Sequence, residues 1–104
     1  MQRGEIWWAN LLEPIGRRPV LILSRNEAIR LRTQVTVAEL TSTIHHIPVE
    51  VSLGLEDGVP RRCVVNLDTL TTVPKQFLDN RICELSADKM DQVHQAIKFA
   101  LDLP

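Results

Sequence analysis

Two adjacent arginines, Arg17 and Arg18, stand immediately before Pro19-Val20-Leu21-Ile22-Leu23-Ser24, an apolar run that reads as a buried strand. A guanidinium is planar and permanently charged, so it can grip a phosphate through two parallel hydrogen bonds where an ammonium cannot. Pro19 fixes its own φ and biases Arg18 toward extended geometry, which puts a stiff cation at the mouth of a sheet. The same arginine could instead satisfy backbone carbonyls at a sheet edge. Farther along, Thr41-Ser42-Thr43 closes another strand-like run. Hydroxyls close to an arginine can hold the non-bridging oxygens of a phosphodiester, although threonine is also simply a good strand former. Glu5, Asn66, Asp68 and Thr69 add polar groups near strand ends. His45 and His46 are adjacent loop residues, and one of them, His46 for instance, could serve as a general base because histidine titrates near neutral pH.

These residues need a scaffold, and the chain divides into short elements. Gly4–Leu11 is rich in strand formers, and Leu12–Gly16 with Pro14 and Gly16 is a loop. Pro19–Ser24 is a second strand. Asn26–Leu31 fits a helical turn with Asn26 as its cap. Val35–Thr43 is a third strand. Pro48–Leu53 alternates Val49, Val51 and Leu53 inward, and with the third strand it suggests an antiparallel hairpin across Ile44-His45-His46. Cys63–Leu67 is a fifth strand, continued by 68–73 past a bend. Lys75–Leu78 is one helical turn, and Arg81–Leu85 is a last strand. The end is the clearest helix: Ser86 occupies the N-cap position, Asp88 the first turn, and Met90, Val93, Ile97, Ala100 and Leu101 recur as one apolar stripe. Trp7 and Trp8 must face opposite sides of their strand, so one is core and the other is free for a surface or stacking role. Five or six short antiparallel strands followed by one amphipathic helix describe a small α+β barrel.

With 104 residues, 44% of them hydrophobic and 24% charged, the chain is expected to be one domain, 1–104, with a single fold. No apolar run approaches the roughly 20 residues that span a bilayer, and the N-terminus lacks a charged-then-apolar leader pattern, so a cytoplasmic protein without membrane contact is expected. Cys63 and Cys83 show no metal-binding spacing and read as buried thiols; no metal and no cofactor are expected. Phosphate-cradling glycine loops and nucleophile elbows are missing. The net charge is −1, but all eight positive residues of 1–62 are arginines, and all three lysines fall after residue 74. A basic face on the strands with an acidic helix behind it would suit an anionic ligand; scattered, solvated arginines are the plainer alternative.

Four segments carry a resemblance to the MazF/PemK family, the toxins of bacterial type II toxin–antitoxin pairs. They are Arg3-Gly4-Glu5-Ile6-Trp7, Arg18-Pro19-Val20-Leu21-Ile22-Leu23-Ser24, Val37-Ala38-Glu39-Leu40-Thr41-Ser42, and Val64-Val65-Asn66-Leu67-Asp68 through Thr72-Val73, with Ala100-Leu101-Asp102-Leu103 closing the last helix. The resemblance implies an SH3-like antiparallel barrel of the CcdB/PemK type with a C-terminal helix, pairing as a homodimer. It implies a metal-independent endoribonuclease that cuts single-stranded messenger RNA at a short sequence and so stops translation and growth. The substrate's own 2′-OH would attack the adjacent phosphate, leaving a 2′,3′-cyclic phosphate and a 5′-OH.

By the resemblance Arg18 and Thr41 are catalytic: Arg18 stabilises the phosphorane-like state and is a candidate proton donor to the leaving oxygen, and Thr41 bonds a non-bridging oxygen. Glu5 and Asp68 match acidic positions used for substrate or base function in some members. Ser42, Arg17, His46 and Asn66 are further candidates for catalysis or substrate binding. A cognate antitoxin would insert a segment that folds on binding into the RNA groove. Two departures stand out: the loop Leu12–Arg17 is short where many members carry a longer glycine-rich one, and Asn66 stands where some members have an arginine. Two alternatives share the barrel: an RNA-binding module that does not cut, and a gyrase-directed toxin, which would use a C-terminal helix signature that Phe99-Ala100-Leu101-Asp102-Leu103-Pro104 lacks.

Overall fold

Alternation of side chains along Arg17–Ile22 explains how the sheet is built. Val20 and Ile22 point to one face, Leu21 points to the other, and all three are fully buried. A strand buried on both faces needs cover on both sides, and two separate clusters supply it. The computed structural model describes residues 1–104. Its elements are β1 (Glu5–Asn10), β2 (Arg17–Ile22), α1 (Asn26–Leu31), β3 (Gln34–Thr41), β4 (Glu50–Leu53), β5 (Cys63–Pro74), β6 (Leu78–Glu84) and α2 (Ala87–Ala100), with 3-10 turns at Leu55–Asp57 and Lys75–Phe77. The strands form one antiparallel sheet in the order β4-β5-β3-β2-β1-β6, curled into a half-barrel whose edges are β4 and β6.

Ile6, Leu21, Ala38, Leu40, Val65 and Leu67 line one face and pack with Val93 and Ala96 of α2. Val20, Ile22, Val35, Val37 and Val73 line the other and pack with Ile29 of α1. The α2 stripe is the anticipated one in Met90, Val93, Ile97 and Ala100, but Ala96 is buried in it, whereas Leu101 lies beyond the helix and is 53% exposed. Ser86 caps α2 as its sequence position suggests, accepting from the Lys89 amide.

Three local expectations are corrected. Residues 48–53 do not form a hairpin with β3: β4 pairs with β5, Val51 opposite Val65, and β5 lies between β4 and β3. Alternation identifies a strand's inward face but not its neighbour. Asn26 is not the cap of α1; Arg25 holds that position, and the Asn26 Oδ1 accepts instead from the Arg3 amide at 2.7 Å. The last strand begins earlier than expected, at Leu78.

The bend in β5 is a large bulge. Ala38 pairs with Leu70 and Leu40 with Val65, so the step of two along β3 faces a step of five along β5. The extra residues are closed by their own polar groups. Asn66 Oδ1 accepts from the Asp68 amide at 2.9 Å, and the Thr69 hydroxyl donates to the Asn66 carbonyl at 2.7 Å. The Glu39 amide, left without a ladder carbonyl by the bulge, donates to Thr69 Oγ1 at 3.3 Å. Bulges of this kind re-aim side chains and concentrate beside functional sites.

Glu5 is the buried charged residue of the fold, 8% exposed. The Trp7 indole and the Gln2 amide donate to Oε1 at 3.0 and 2.8 Å, and the Arg81 Nε donates to Oε2 at 2.9 Å. Burial opposes ionisation, but the hydrogen bonds from Trp7, Arg81 and Gln2 outweigh it and hold the carboxyl below its ordinary value of 4.5. A depressed folded-state value stabilises the native chain above the unfolded value and is lost as pH falls through the folded one. Urea midpoints measured from pH 6 down to pH 3 should therefore decline from about pH 4.5 downward. Glu5→Gln should flatten that decline and cost about 1–3 kcal/mol at neutral pH; equal pH profiles for both chains would refute the assignment.

Candidate active site

β2 enters the sheet where β3 leaves it. Val20 pairs with Glu39 and Leu21 with Ala38, and carrying this register outward sets Arg18 opposite Thr41 on the same face. Gly16, with φ of +70°, turns the short loop so that its carbonyl accepts from the Leu11 amide and β2 starts at once with Arg17. Between these strand ends lies a pocket of about 320 Å³ whose wall includes Trp8, Arg17, Arg18, Thr41, Ser42 and Arg61. Leu40, Val59, Pro60 and Cys63 form its apolar floor and side.

Arg18 is partly exposed and pairs with Glu39, its NH1 lying 3.3 Å from Oε1. The Thr41 hydroxyl accepts from the Thr43 amide at 3.1 Å, which leaves its own proton free to donate into the pocket. Arg17 is held elsewhere. Its NH1 donates to Asp79 Oδ2 at 2.7 Å and to Asn10 Oδ1 at 3.0 Å, and its guanidinium lies 5.2 Å from the centroid of the Trp8 ring. The hydrogen bonds that Asp79 accepts, first from Arg17 and then from the Asn10 side-chain amide at 2.9 Å, keep its carboxyl below its usual range, and Asp79 in turn raises Arg17. Arg17 is thus a tethered wall that braces Trp8, whereas Arg18 and Arg61 direct charge at the pocket. Trp7 points the other way, onto the second core cluster, as alternation requires.

The remaining sequence candidates lie outside the pocket wall. Glu5 is consumed by its buried network with Arg81 and Trp7. Asp68 is exposed on the bulge, and Asn66 shapes that bulge. His46 is exposed in the loop after β3 with φ of +55°, and its amide, like that of His45, donates to Glu50 Oε1 at 2.9 Å. Sequence reasoning overlooked Arg61, which lines the pocket, and Glu39 and Asp79, which stand outside its wall and hold Arg18 and Arg17. For Glu39 a signal existed: it stands two residues before Thr41 on one strand and so shares its face. The eight arginines do not form one face, since Arg25, Arg30 and Arg32 cluster around α1 at the far end of β2. No three His, Cys, Asp or Glu side chains are grouped as metal ligands.

Cys63 reaches the pocket edge and Cys83 is half-buried; both are free thiols, and burial pushes both up from their ordinary value. The thiolate is the reactive form. At pH 7.5 both should react with a disulfide reagent at least about tenfold more slowly in the folded chain than in urea. Rapid labelling of the native chain would contradict this.

A curled antiparallel half-barrel with one C-terminal helix, carrying a cationic, hydroxyl-lined pocket at the mouth between two central strands, is a scaffold for binding a small anionic segment. Sequence comparison makes the class specific. The profile of PemK-like, MazF-like toxins of type II toxin-antitoxin systems matches residues 2–101, and the chain belongs to that family. It is 42% identical over 101 residues to the Probable endoribonuclease MazF5 of Mycobacterium tuberculosis, covering 96% of this chain and 92% of that one. The solved Mycobacterium tuberculosis toxin MazF-mt6 superimposes with a TM-score of 0.89 at 34% identity, covering 96% and 98% of the two chains. A mycobacterial endoribonuclease solved in complex with its cognate antitoxin gives 0.90 at 31% identity, covering 100% and 97%.

Proposed function

We propose that this chain is the toxin of a toxin–antitoxin pair, a metal-independent endoribonuclease that cuts single-stranded RNA at a short sequence. The observation that carries the reading is that Arg18 and Thr41 line one pocket at neighbouring strand ends, in a chain 42% identical to a protein named as a probable endoribonuclease. In a cyclising cleavage the substrate supplies its own nucleophile. The 2′-oxygen attacks the adjacent phosphorus, the bond to the 5′-oxygen breaks, and the products carry a 2′,3′-cyclic phosphate and a 5′-OH. The protein's tasks are to orient the strand and to stabilise added negative charge on the phosphate. Arg18 supplies charge-assisted donors for that purpose, Thr41 one hydroxyl, and Arg61 a second cation at the rim. Trp8, braced by Arg17, offers an aromatic face for a neighbouring base.

The chain acts on this reading as a single domain, a homodimer and a cytoplasmic protein; no helix in it is long and apolar enough to cross a membrane. A 31% identical relative was solved in complex with its cognate antitoxin. On this reading the chain's own partner is an antitoxin with a segment that folds on binding across the pocket. The test is incubation of the purified chain with a long single-stranded RNA in EDTA, followed by mapping of both ends. Cuts at one recurring short motif, bearing 2′,3′-cyclic phosphate and absent from a substrate deoxy at the mapped position, are the expected result. Intact RNA from folded protein would replace the reading with a module that binds without cutting.

A further inference from the structure

The site as described has a charge stabiliser and a hydroxyl, but no group to take the proton of the attacking 2′-OH. Such a base must stand beside whatever binds the scissile phosphate, because the 2′-oxygen is joined to that phosphate through the same ribose. Several acids near the site do not meet this requirement. Glu13, in the loop before β2, is exposed, lies outside the pocket wall and pairs with no cation. Glu5 is saturated by Trp7, Gln2 and Arg81, and Asp79 by Arg17 and Asn10. Glu50 is spent on the amides of His45 and His46. Asp68 is exposed on the bulge and forms no ion pair.

Glu39 differs from all of these. It too stands outside the pocket wall, but it contacts Arg18, which lines the pocket, at 3.3 Å from NH1 to Oε1, and its side chain is only 13% exposed. It shares a strand face with Thr41, two residues on. Its other oxygen, Oε2, accepts no hydrogen bond. No partly buried side-chain oxygen or nitrogen is both shut off from solvent and without a partner, so Oε2 is open. The carboxylate therefore has one oxygen fixed by the guanidinium and one free to accept a proton. Its backbone is fixed as well, since the Glu39 amide is held by Thr69 within the β5 bulge.

We propose that Glu39 is the general base of the cleavage reaction: its free Oε2 takes the 2′-OH proton while Arg18 holds Oε1 and turns its remaining donors to the phosphate. The inference rests on the ribonuclease reading above. The step balances without a co-reactant: the O2′–H bond breaks as the proton passes to Glu39, the O2′–P bond forms and the P–O5′ bond breaks. The leaving O5′ takes a proton from pocket water, and Glu39 later returns its own to solvent. Arg18 offsets the repulsion between the Glu39 carboxylate and the incoming phosphate, which is a physical reason for the two to be paired rather than merely near.

Glu39→Gln separates this role from simple positioning, because glutamine keeps an acceptor for Arg18 but cannot take the proton. Single-turnover cleavage of a mapped RNA, with KM measured alongside, is the readout. Expected are a fall in kcat of about 10²–10⁴-fold with KM changed less than severalfold. Glu39→Asp should retain measurable cleavage, and added formate should restore cleavage to Glu39→Ala in a concentration-dependent way. A Glu39→Gln chain cutting at the wild-type rate, or a Glu39→Ala chain weakened only in KM and deaf to formate, would overturn the base assignment alone. Intact RNA with the folded wild-type chain would overturn the ribonuclease reading and the base assignment with it.

Discussion

Arg18→Ala should lower the rate of RNA cleavage by at least about 10³-fold, with the loss in kcat rather than KM. Removing a single neutral donor from an oxyanion site typically costs on the order of 10²–10³ in rate, and a guanidinium offers two charge-assisted donors at once. The effect is differential because the phosphate gains negative charge as the 2′-oxygen attacks, and a fixed cation meets that charge without reorganising. Arg18→Lys should recover little of it, since a lysine point charge reproduces neither the planar fork nor the hold on Glu39. The fold should tolerate the change. The side chain is 35% exposed at the first turn of the sheet, and Pro19 keeps the strand entrance extended. A thermal melt within a few degrees of wild type, run beside the single-turnover assay, verifies that the loss is chemical. Wild-type cleavage by Arg18→Ala would reduce Arg18 to a sheet-edge arginine and remove the centre of the proposed site.

Leu21→Ala should produce the largest loss of stability, about 2–5 kcal/mol. Leu21 is fully buried in the third of the six strands counted from β6, with Ile6 across from it on β1 and Ala38 on β3. Its methyl groups belong to the cluster that holds α2 against the sheet through Val93 and Ala96. Ala38 opposite is too small to fill the space left, so the cavity persists and its cost adds to the lost transfer energy. For a chain of this size, that lowers Tm by roughly 10–30 °C, a large share of a typical total stability of about 5–15 kcal/mol. Leu12→Ala is the matched control: Leu12 is 74% exposed in the loop, and its loss should change stability by less than about 0.5 kcal/mol. Equal melts for Leu21→Ala and Leu12→Ala would contradict the packing of the first cluster.

What could be read directly from the residues was local. Ser86 and the stripe through Met90, Val93 and Ile97 define α2, because a capped amphipathic helix writes its period into a single stretch of chain. Arg18-Pro19 marks the entrance of β2, because proline restricts its own φ and its predecessor's. Trp7 and Trp8 had to diverge, and the count of short strands pointed to a small antiparallel barrel with one terminal helix. The family likeness then led to Arg18 and Thr41 as a pair.

The assembled sheet decided everything that depends on partners distant in sequence. Whether β4 joins β3 or β5 is a question of pairing, on which alternation is silent. Glu5 and Arg17 are both charged residues near strand ends. Only the approach of β6, through Arg81 and Asp79, shows that one is a buried anchor and the other a tethered wall of the pocket. Glu39 reads in sequence as one of several polar residues along β3, with Gln34, Thr36 and Thr41. It becomes a candidate base only because the β2–β3 register brings it to Arg18 and the β5 bulge holds its amide. Helical period and proline stiffness act within a few residues, so composition and spacing determine them; charge pairing and solvent exclusion act across space, so only the folded sheet assigns them.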